Sequence, residues 1–207
     1  MLELNKLYNM DCMDGMKQFP DKFFELAIVD PPYGIGNFVQ VTGNVRGKSV
    51  TWNDDIPTQE YFDELERVSK ERIIWGANYY NCFNKKGGAI VWWKHVPAES
   101  NLSECEIASY SRLKRVGFVD LKWQNIGRNE ITIHPCQKPV ALYRWLLKNY
   151  AKEGDKILDT HVGSASSLIA CYQMNFDYIG FEIDKEYYEK AQKRIADEMA
   201  QVSLFYG

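Results

Sequence analysis

Short apolar runs that stop abruptly, alternating with stretches of helical periodicity, constrain this chain more than any other feature. The run 25–30 (ELAIVD) ends at Pro31-Pro32, which cannot continue a central strand. Further strands are expected at 72–75 (RIIW), within 88–94 (AIVWW), at 156–159 (KILD) and at 178–182 (YIGFE), with weaker ones at 107–110 and 116–119. Between them, 58–70 carries Tyr61, Phe62, Leu65 and Val68 at helical spacing. Helices are also expected at 139–150, with Pro139 in the first turn, at 164–174, and at 184–200 with Asp184 as N-cap. Strands alternating with helices predict an α/β fold: a doubly wound, mostly parallel, Rossmann-like sheet with helices on both faces. A length of 207 residues suits one domain over 1–207. Such sheets bind ligands at the carboxyl ends of their strands.

No segment reaches the roughly 18 uninterrupted apolar residues of a membrane span. Residues 1–10 lack the basic and apolar pattern of a secretory signal, so none is expected. The five cysteines (Cys12, Cys82, Cys105, Cys136, Cys171) never stand at C-x-x-C spacing, which argues against a metal site or dithiol and for reduced thiols in a cytoplasm. The formal net charge is −3, yet residues 81–150 hold eleven basic residues against five acids. A local basic face can meet phosphates on a slightly acidic chain, and a solvated mixed surface reads equally well from charge alone.

The tetrad Asp30-Pro31-Pro32-Tyr33 follows a strand directly, facing the crevice. Consecutive prolines stiffen the turn. The Asp30 carboxylate and the Pro31 carbonyl are two acceptors suited to an NH2 on a base ring, which donates two bonds. Tyr33 offers a flat face for a base, a contact worth about 1–3 kcal/mol. An exocyclic amine is a poor nucleophile because its lone pair is conjugated. Two acceptors can free that lone pair for in-line attack on a sulfonium methyl, with positioning and electrostatics carrying the catalysis. The bland alternative is a Pro-Pro turn with Asp30 as an Asx-turn former.

Near the other end, Gly163 after a strand permits close approach of a ligand to a helix N-terminus. Glu182 stands 19 residues later at the end of the next strand, where a carboxylate can accept from ribose hydroxyls. With these segments the chain resembles the amino-methylating DNA methyltransferases, the N6-adenine and N4-cytosine group, over roughly residues 8–194. The resemblance rests on the tetrad and on His134-Pro-Cys-Gln-Lys138-Pro139. It rests too on Asp159-Thr-His161-Val-Gly163-Ser164, Gly180-Phe-Glu182-Ile-Asp184 and Asn9-Met-Asp11-Cys12. It implies a permuted order with the catalytic tetrad before the cofactor loop, and S-adenosylmethionine as cofactor. Cofactor contacts are implied for Asp11, Cys12, Lys138, Asp159, His161, Gly163, Ser164 and Glu182. Of these, Lys138 and the helix opening at Ser164 would meet the methionine carboxylate, and Asp11 the adenine amino group. The family usually has Phe-x-Gly-x-Gly in the cofactor loop, and here His161 and Ala165 depart from it. Ala165 is tolerable at negative φ, so a helical start is expected there. His161 reads most simply as a loop histidine without a proton-transfer role.

Two distractors are set aside. Pro135-Cys136-Gln137 imitates the nucleophile of cytosine C5-methyltransferases but stands before the cofactor loop, so Cys136 reads as packing. Of Trp92 and Trp93, neighbours on a strand, at least one is expected in the core. Residues 34–55 read as a mobile loop over the target pocket, and 94–130 as a short target-recognition segment. DNA contacts are expected from Arg46, Lys48, Lys94, Arg112, Lys114, Arg115, Lys122 and Arg128. The expected partner is double-stranded DNA with the target base flipped out. A second subunit is a candidate to complete the channel, and no metal or membrane is implied. The small size suits an orphan or phage-encoded enzyme.

Within the family the chain resembles, Asp rather than Ser at position 30 implies adenine N6 as the acceptor. The alternatives are N4-cytosine or RNA amino-methylation, and a cofactor- or DNA-binding module without turnover. An NAD oxidoreductase is disfavoured because the loop after Asp159 lacks G-x-G-x-x-G.

Overall fold

The computed structural model describes residues 1–36, 55–97, 99, 102–123 and 132–206, with side chains described to residue 200. The expected mobile loop at 34–55 falls largely outside the described residues, as do Arg46, Lys48 and Arg128.

The order is β1 (Lys6–Tyr8), α1 (Cys12–Met16), β2 (Phe24–Val29), α2 (Gln59–Val68), β3 (Ser69–Trp75), α3 (Ala77–Tyr80), β4 (Ala89–Trp93), β5 (Cys105–Tyr110), β6 (Val116–Asp120), α4 (Val140–Tyr150), β7 (Lys156–Asp159), α5 (Ser166–Gln173), β8 (Asp177–Phe181) and α6 (Lys185–Tyr206). The eight strands among the described residues form one sheet in the order β1-β8-β7-β2-β3-β5-β4-β6. Every pairing is parallel except the two made by β5, which runs against both β3 and β4. The expected α/β class is what the chain adopts. No helix among the described residues is long and apolar enough to cross a membrane.

Burial explains the elements. β2 is buried along most of its length, as a central strand covered on both faces must be. In α2 the buried residues Tyr61, Leu65 and Val68 recur every three or four positions. α4 buries Val140, Leu142, Tyr143, Leu146 and Leu147, while Pro139 holds extended backbone just ahead of it. Asp184 accepts from the Tyr187 N–H at 3.0 Å and caps α6 as expected. Two apolar clusters result. One joins residues of α4, α5 and α6 to Ile28, Ile73, Trp75, Ile90 and Trp92. The other, on the opposite face, joins Met16 and α2 to Phe24, Ala27, Val29 and Ile74. Trp92 is 2% exposed and meets Trp75 edge-on at 6.1 Å, whereas Trp93 is 39% exposed, the division expected of strand neighbours.

Two local expectations need correction. The helix expected from 164 begins at Ser166. Ala165, expected at negative φ, adopts φ 65°, the left-handed region where a Cβ costs about 1–2 kcal/mol. Its backbone still accepts from the Ile169 N–H at 3.0 Å, and its methyl is fully buried, which favours alanine where glycine would leave a gap.

The crossover from β7 leads to β8 on one side and that from β2 leads to β3 on the other, so the strand order reverses between β7 and β2. That reversal opens a crevice at the carboxyl ends of these two strands. Continuing the pairing Ala27↔Leu158 by three residues sets Asp30 level with His161 at its mouth.

Candidate active site

Asp30 is the first residue past β2 and is 17% exposed. One carboxylate oxygen accepts from the Tyr33 hydroxyl at 2.6 Å, and the other accepts from the Lys138 ammonium. Lys138, 4% exposed, also pairs with Glu106 at 3.0 Å and reaches the Tyr33 hydroxyl at 3.3 Å. Glu106 in turn accepts from Lys94 at 3.0 Å. The four side chains form an alternating row, Asp30–Lys138–Glu106–Lys94, at the margin of the core. Burial pushes the Asp30 carboxyl above its usual range against the pull of Lys138. Burial would likewise raise Glu106, but Lys138 and Lys94 together hold it low. For Lys138 burial is outweighed by the two carboxylates, which hold the ammonium charged.

The tetrad backbone is also gripped. The Tyr80 hydroxyl is directed at the Pro31 carbonyl and lies 2.9 Å from that of Pro32. The Tyr33 ring stacks on Tyr79 with centroids 4.8 Å apart and planes at 16°. Gly76, at φ 74°, lies beneath that ring: a Cβ there would stand 2.4 Å from Tyr33 Cε1. A side chain at 76 would evict Tyr33.

The loop after β7 is held differently. Asp159, 2% exposed, accepts from the His161 N–H at 3.0 Å and from the Ser167 hydroxyl. Burial pushes its carboxyl up to about 7. Glu182 accepts from the Gly163 N–H at 2.8 Å and the Asp184 N–H at 2.9 Å. Gly163 has φ 53°, and a Cβ would sit 3.4 Å from the His134 ring. His161 is within hydrogen-bond reach of the Thr160 hydroxyl at 2.9 Å, and burial lowers its ring to about 4. Ser164 is buried, its carbonyl accepting from Arg194 at 2.7 Å. Asp11 follows β1 and accepts from the Met13 N–H at 2.7 Å, capping α1, and burial pushes the Cys12 thiol up to about 12. Asn9 donates to the Glu182 carbonyl at 2.8 Å, tying this segment to the end of β8.

The structure therefore gathers Asp11, Cys12, Asp30, Tyr33, Lys138, Asp159, His161, Gly163, Ser164 and Glu182 at one edge. It redistributes the rest. Lys138, expected at a cofactor carboxylate, donates to Asp30 and Tyr33 and ion-pairs with Glu106 instead. Lys94, expected on DNA, is 8% exposed and spent on Glu106. Arg112, Lys114 and Arg115 are exposed but sit in the β5–β6 turn. Because β5 runs backwards, that turn lies at the amino edge of the sheet, roughly 16 Å of strand away from the crevice. Exposed Lys122, past the end of β6, is at the carboxyl edge. The sequence reading missed Glu106, Tyr79, Tyr80 and Gly76. Glu106 carried one usable signal, an acid inside an otherwise apolar strand (CEIASY).

The comparisons with known proteins converge. The model of the N6/N4 family, described as DNA methylase, matches residues 77–193. The type II methyltransferase M.HpaI of Haemophilus parainfluenzae is 43% identical over 161 residues, spanning 78% of this chain and 43% of that protein. M.BglII of Bacillus subtilis is 22% identical over 94% of this chain and 70% of its own length. Among solved structures, the M1.HpyAVI–SAM complex superposes with TM-score 0.60 at 18% identity, covering 91% of this chain and 98% of that one. The cytosine-N4-specific PvuII DNA methyltransferase superposes with TM-score 0.62 at 13% identity, covering 95% and 92%. With its tetrad at the sheet's switch point and more than half its length matched by the family model, this chain belongs to the N6/N4 DNA methylases.

Proposed function

We propose that the protein transfers a methyl group from S-adenosylmethionine to the N6 amine of adenine in DNA. The observation that carries this reading is the pair of acceptors at the end of β2, the Asp30 carboxylate beside the Pro31 carbonyl, opposite the loop that follows β7. Both are already hydrogen-bonded, Asp30 to Tyr33 and Lys138, Pro31 to Tyr80. A carbonyl has two acceptor sites, so Pro31 retains a place for an N–H, while both Asp30 oxygens are already engaged and the amine would share them with Tyr33 and Lys138.

The residues of the β7 loop fit such a cofactor. Gly163 holds a left-handed φ of 53° that a side chain would strain, Glu182 and Asp11 are carboxylates at the ends of β8 and β1, and Asp159 is a buried acceptor. Glu182 would accept from the ribose hydroxyls, Asp11 from the adenine amine, and the Ser164 region would meet the methionine end. When bound, the cofactor would supply an electrophilic sulfonium methyl and leave as the thioether with the carbon–sulfur electron pair; the proton shed by the methylated amine would pass to the Asp30 carboxylate or from it to solvent. Asp30 and the Pro31 carbonyl orient the target amine and draw its hydrogens away from the ring plane, so its lone pair points along the line of attack. The Tyr33–Tyr79 pile supplies the aromatic wall for the extruded base. Lys122, with Arg46, Lys48 and Arg128, would contact phosphates.

Asp at position 30 favours adenine. The cytosine reading has one support, the superposition on a cytosine-N4-specific enzyme. Incubation with labelled S-adenosylmethionine and unmethylated genomic DNA, followed by digestion to nucleosides, should yield N6-methyladenine. Recovery of N4-methylcytosine alone would overturn the adenine assignment. Asp30→Ala should lower turnover by about a thousand-fold or more while cofactor binding persists, and near wild-type turnover would remove Asp30 from the mechanism.

A further inference from the structure

The row Asp30–Lys138–Glu106–Lys94 is richer than the reaction requires. Turning the target amine needs Asp30 as an acceptor, yet Lys138 spends part of its charge on one of the Asp30 oxygens. An ammonium fixed there would compete with the incoming amine and weaken the carboxylate's pull. Glu106 supplies the counterweight. It lies on β5, contacts the same ammonium at 3.0 Å, and is anchored from its far side by Lys94 at 3.0 Å. The Lys138 ammonium thus stands between two carboxylates and can shift from one to the other without being stripped of charge.

We infer that Glu106 is a positioning residue that draws the Lys138 ammonium away from Asp30 when the target amine arrives, releasing a carboxylate oxygen to accept from it. This rests on the methyltransferase reading above, with Asp30 as the acceptor. Lys94 sets how strongly Glu106 pulls: its positive charge partly satisfies Glu106 and leaves Lys138 nearer to Asp30.

The arrangement gives opposite signs for its two ends. Removing the Glu106 charge hands Lys138 wholly to Asp30 and stabilises the ionised carboxylate. Removing Lys94 frees Glu106 to take more of Lys138 and has the reverse effect. The other groups facing Asp30 are unchanged in both variants: Tyr33 of its own turn, Tyr80 of α3, Cys136 before α4, Tyr143 of α4, and Asp159 of β7.

The test combines two readouts. One is the acid limb of the turnover–pH profile on unmethylated genomic DNA. The other is the carboxyl 13C NMR titration of Asp30, assigned by loss of its signal in Asp30→Asn. Glu106→Gln should lower turnover by about ten-fold or more, leave the S-adenosylmethionine dissociation constant within about two-fold, and move both readouts to lower pH. Lys94→Met should move both to higher pH, and Glu106→Asp, which keeps the charge, should restore the wild-type positions. Unshifted titrations, or shifts of the same sign in Glu106→Gln and Lys94→Met, would overturn the proposal. Should Glu106→Gln not fold, Lys94→Met and Glu106→Asp decide it. A wild-type protein that makes no methylated nucleoside would refute the functional reading, while the NMR titration would still report on the coupling.

Discussion

The two loops that meet at the crevice are built on opposite plans. The loop after β7 is held mainly through its own backbone: Asp159 accepts from His161 two residues on, and Glu182 ties down Gly163 and Asp184 through backbone N–H groups, with Tyr61 of α2 at Thr160 and Arg194 of α6 at Ser164 bracing it from outside. The turn after β2 is held from elsewhere, by Lys138 before α4, by Tyr80 of α3, and through Lys138 by Glu106 of β5. The first plan fixes a backbone shape whatever else the protein is doing. The second makes the reacting end depend on charges that can be redistributed. On the proposed reading, the backbone-braced loop would receive the cofactor and the remotely held turn the target amine.

Replacing His161 tests the backbone-braced loop with the largest effect. An ordinary histidine protonates near 6.5, but burial lowers His161 to about 4. Between those values the unfolded chain takes up a proton that the folded chain refuses, so stability is lost as pH falls from 6.5 towards 4. The contribution is about 3 kcal/mol. Its neighbour Asp159 acts in the opposite sense. Raised to about 7 from an ordinary 3.8, it keeps its proton in the folded state where the unfolded chain has lost it, so its destabilising effect fades as pH falls from 7 to 4. His161→Phe removes only the acid-sensitive partner. Urea unfolding at pH 7.5 and 4.5 should therefore show the variant gaining up to about 3 kcal/mol relative to wild type at the lower pH. A pH dependence identical to wild type would mean that His161 is not held neutral.

Glu182→Ala comes next. It removes the proposed ribose acceptor and strands the Gly163 N–H, so the S-adenosylmethionine dissociation constant by calorimetry should rise about ten-fold, with melting temperature lowered. An unchanged constant would reject the ribose contact and leave Glu182 a purely local brace.

The smallest effect belongs to the remotely held turn. Tyr80→Phe deletes the hydroxyl at the Pro31 and Pro32 carbonyls, and should slow turnover by a few-fold, about 0.5–1 kcal/mol, with cofactor affinity unchanged. A loss beyond about a hundred-fold would show that Tyr80 itself touches the target base.

The contrast also explains what could be read in advance. The strands were legible because apolar runs ending at Pro31 or Gly163 announce both burial and turn. The loop after β7 was legible because its backbone partners are near in sequence or sit one strand on, as Glu182 does, whereas its bracing by Tyr61 of α2 was not. Lys138 is 108 residues from Asp30, and its contact with Glu106 exists only because β5 lies next to β3. No local pattern encodes such a meeting. The same strand misled the reading of basic charge. Arg112, Lys114 and Arg115 follow Glu106 closely in sequence, yet the reversed strand carries them to the far edge, while Lys94 is consumed in the core. β1 and α1, three and five residues long, were too short to show any periodicity.

The reversed strand has a further consequence. Glu106 is paired with Trp92 and Cys105 with Trp93, so side chains alternate between the covered and open sides. A slip of one residue would aim Cys105 or Ile107 at Lys138 and turn the acid outwards. A slip of two would restore the face but carry Glu106 about 7 Å along the strand, so the contact with Lys138 survives only in this register, however long the connection between the strands. Register, and not the length of its connection, is what this hairpin must hold.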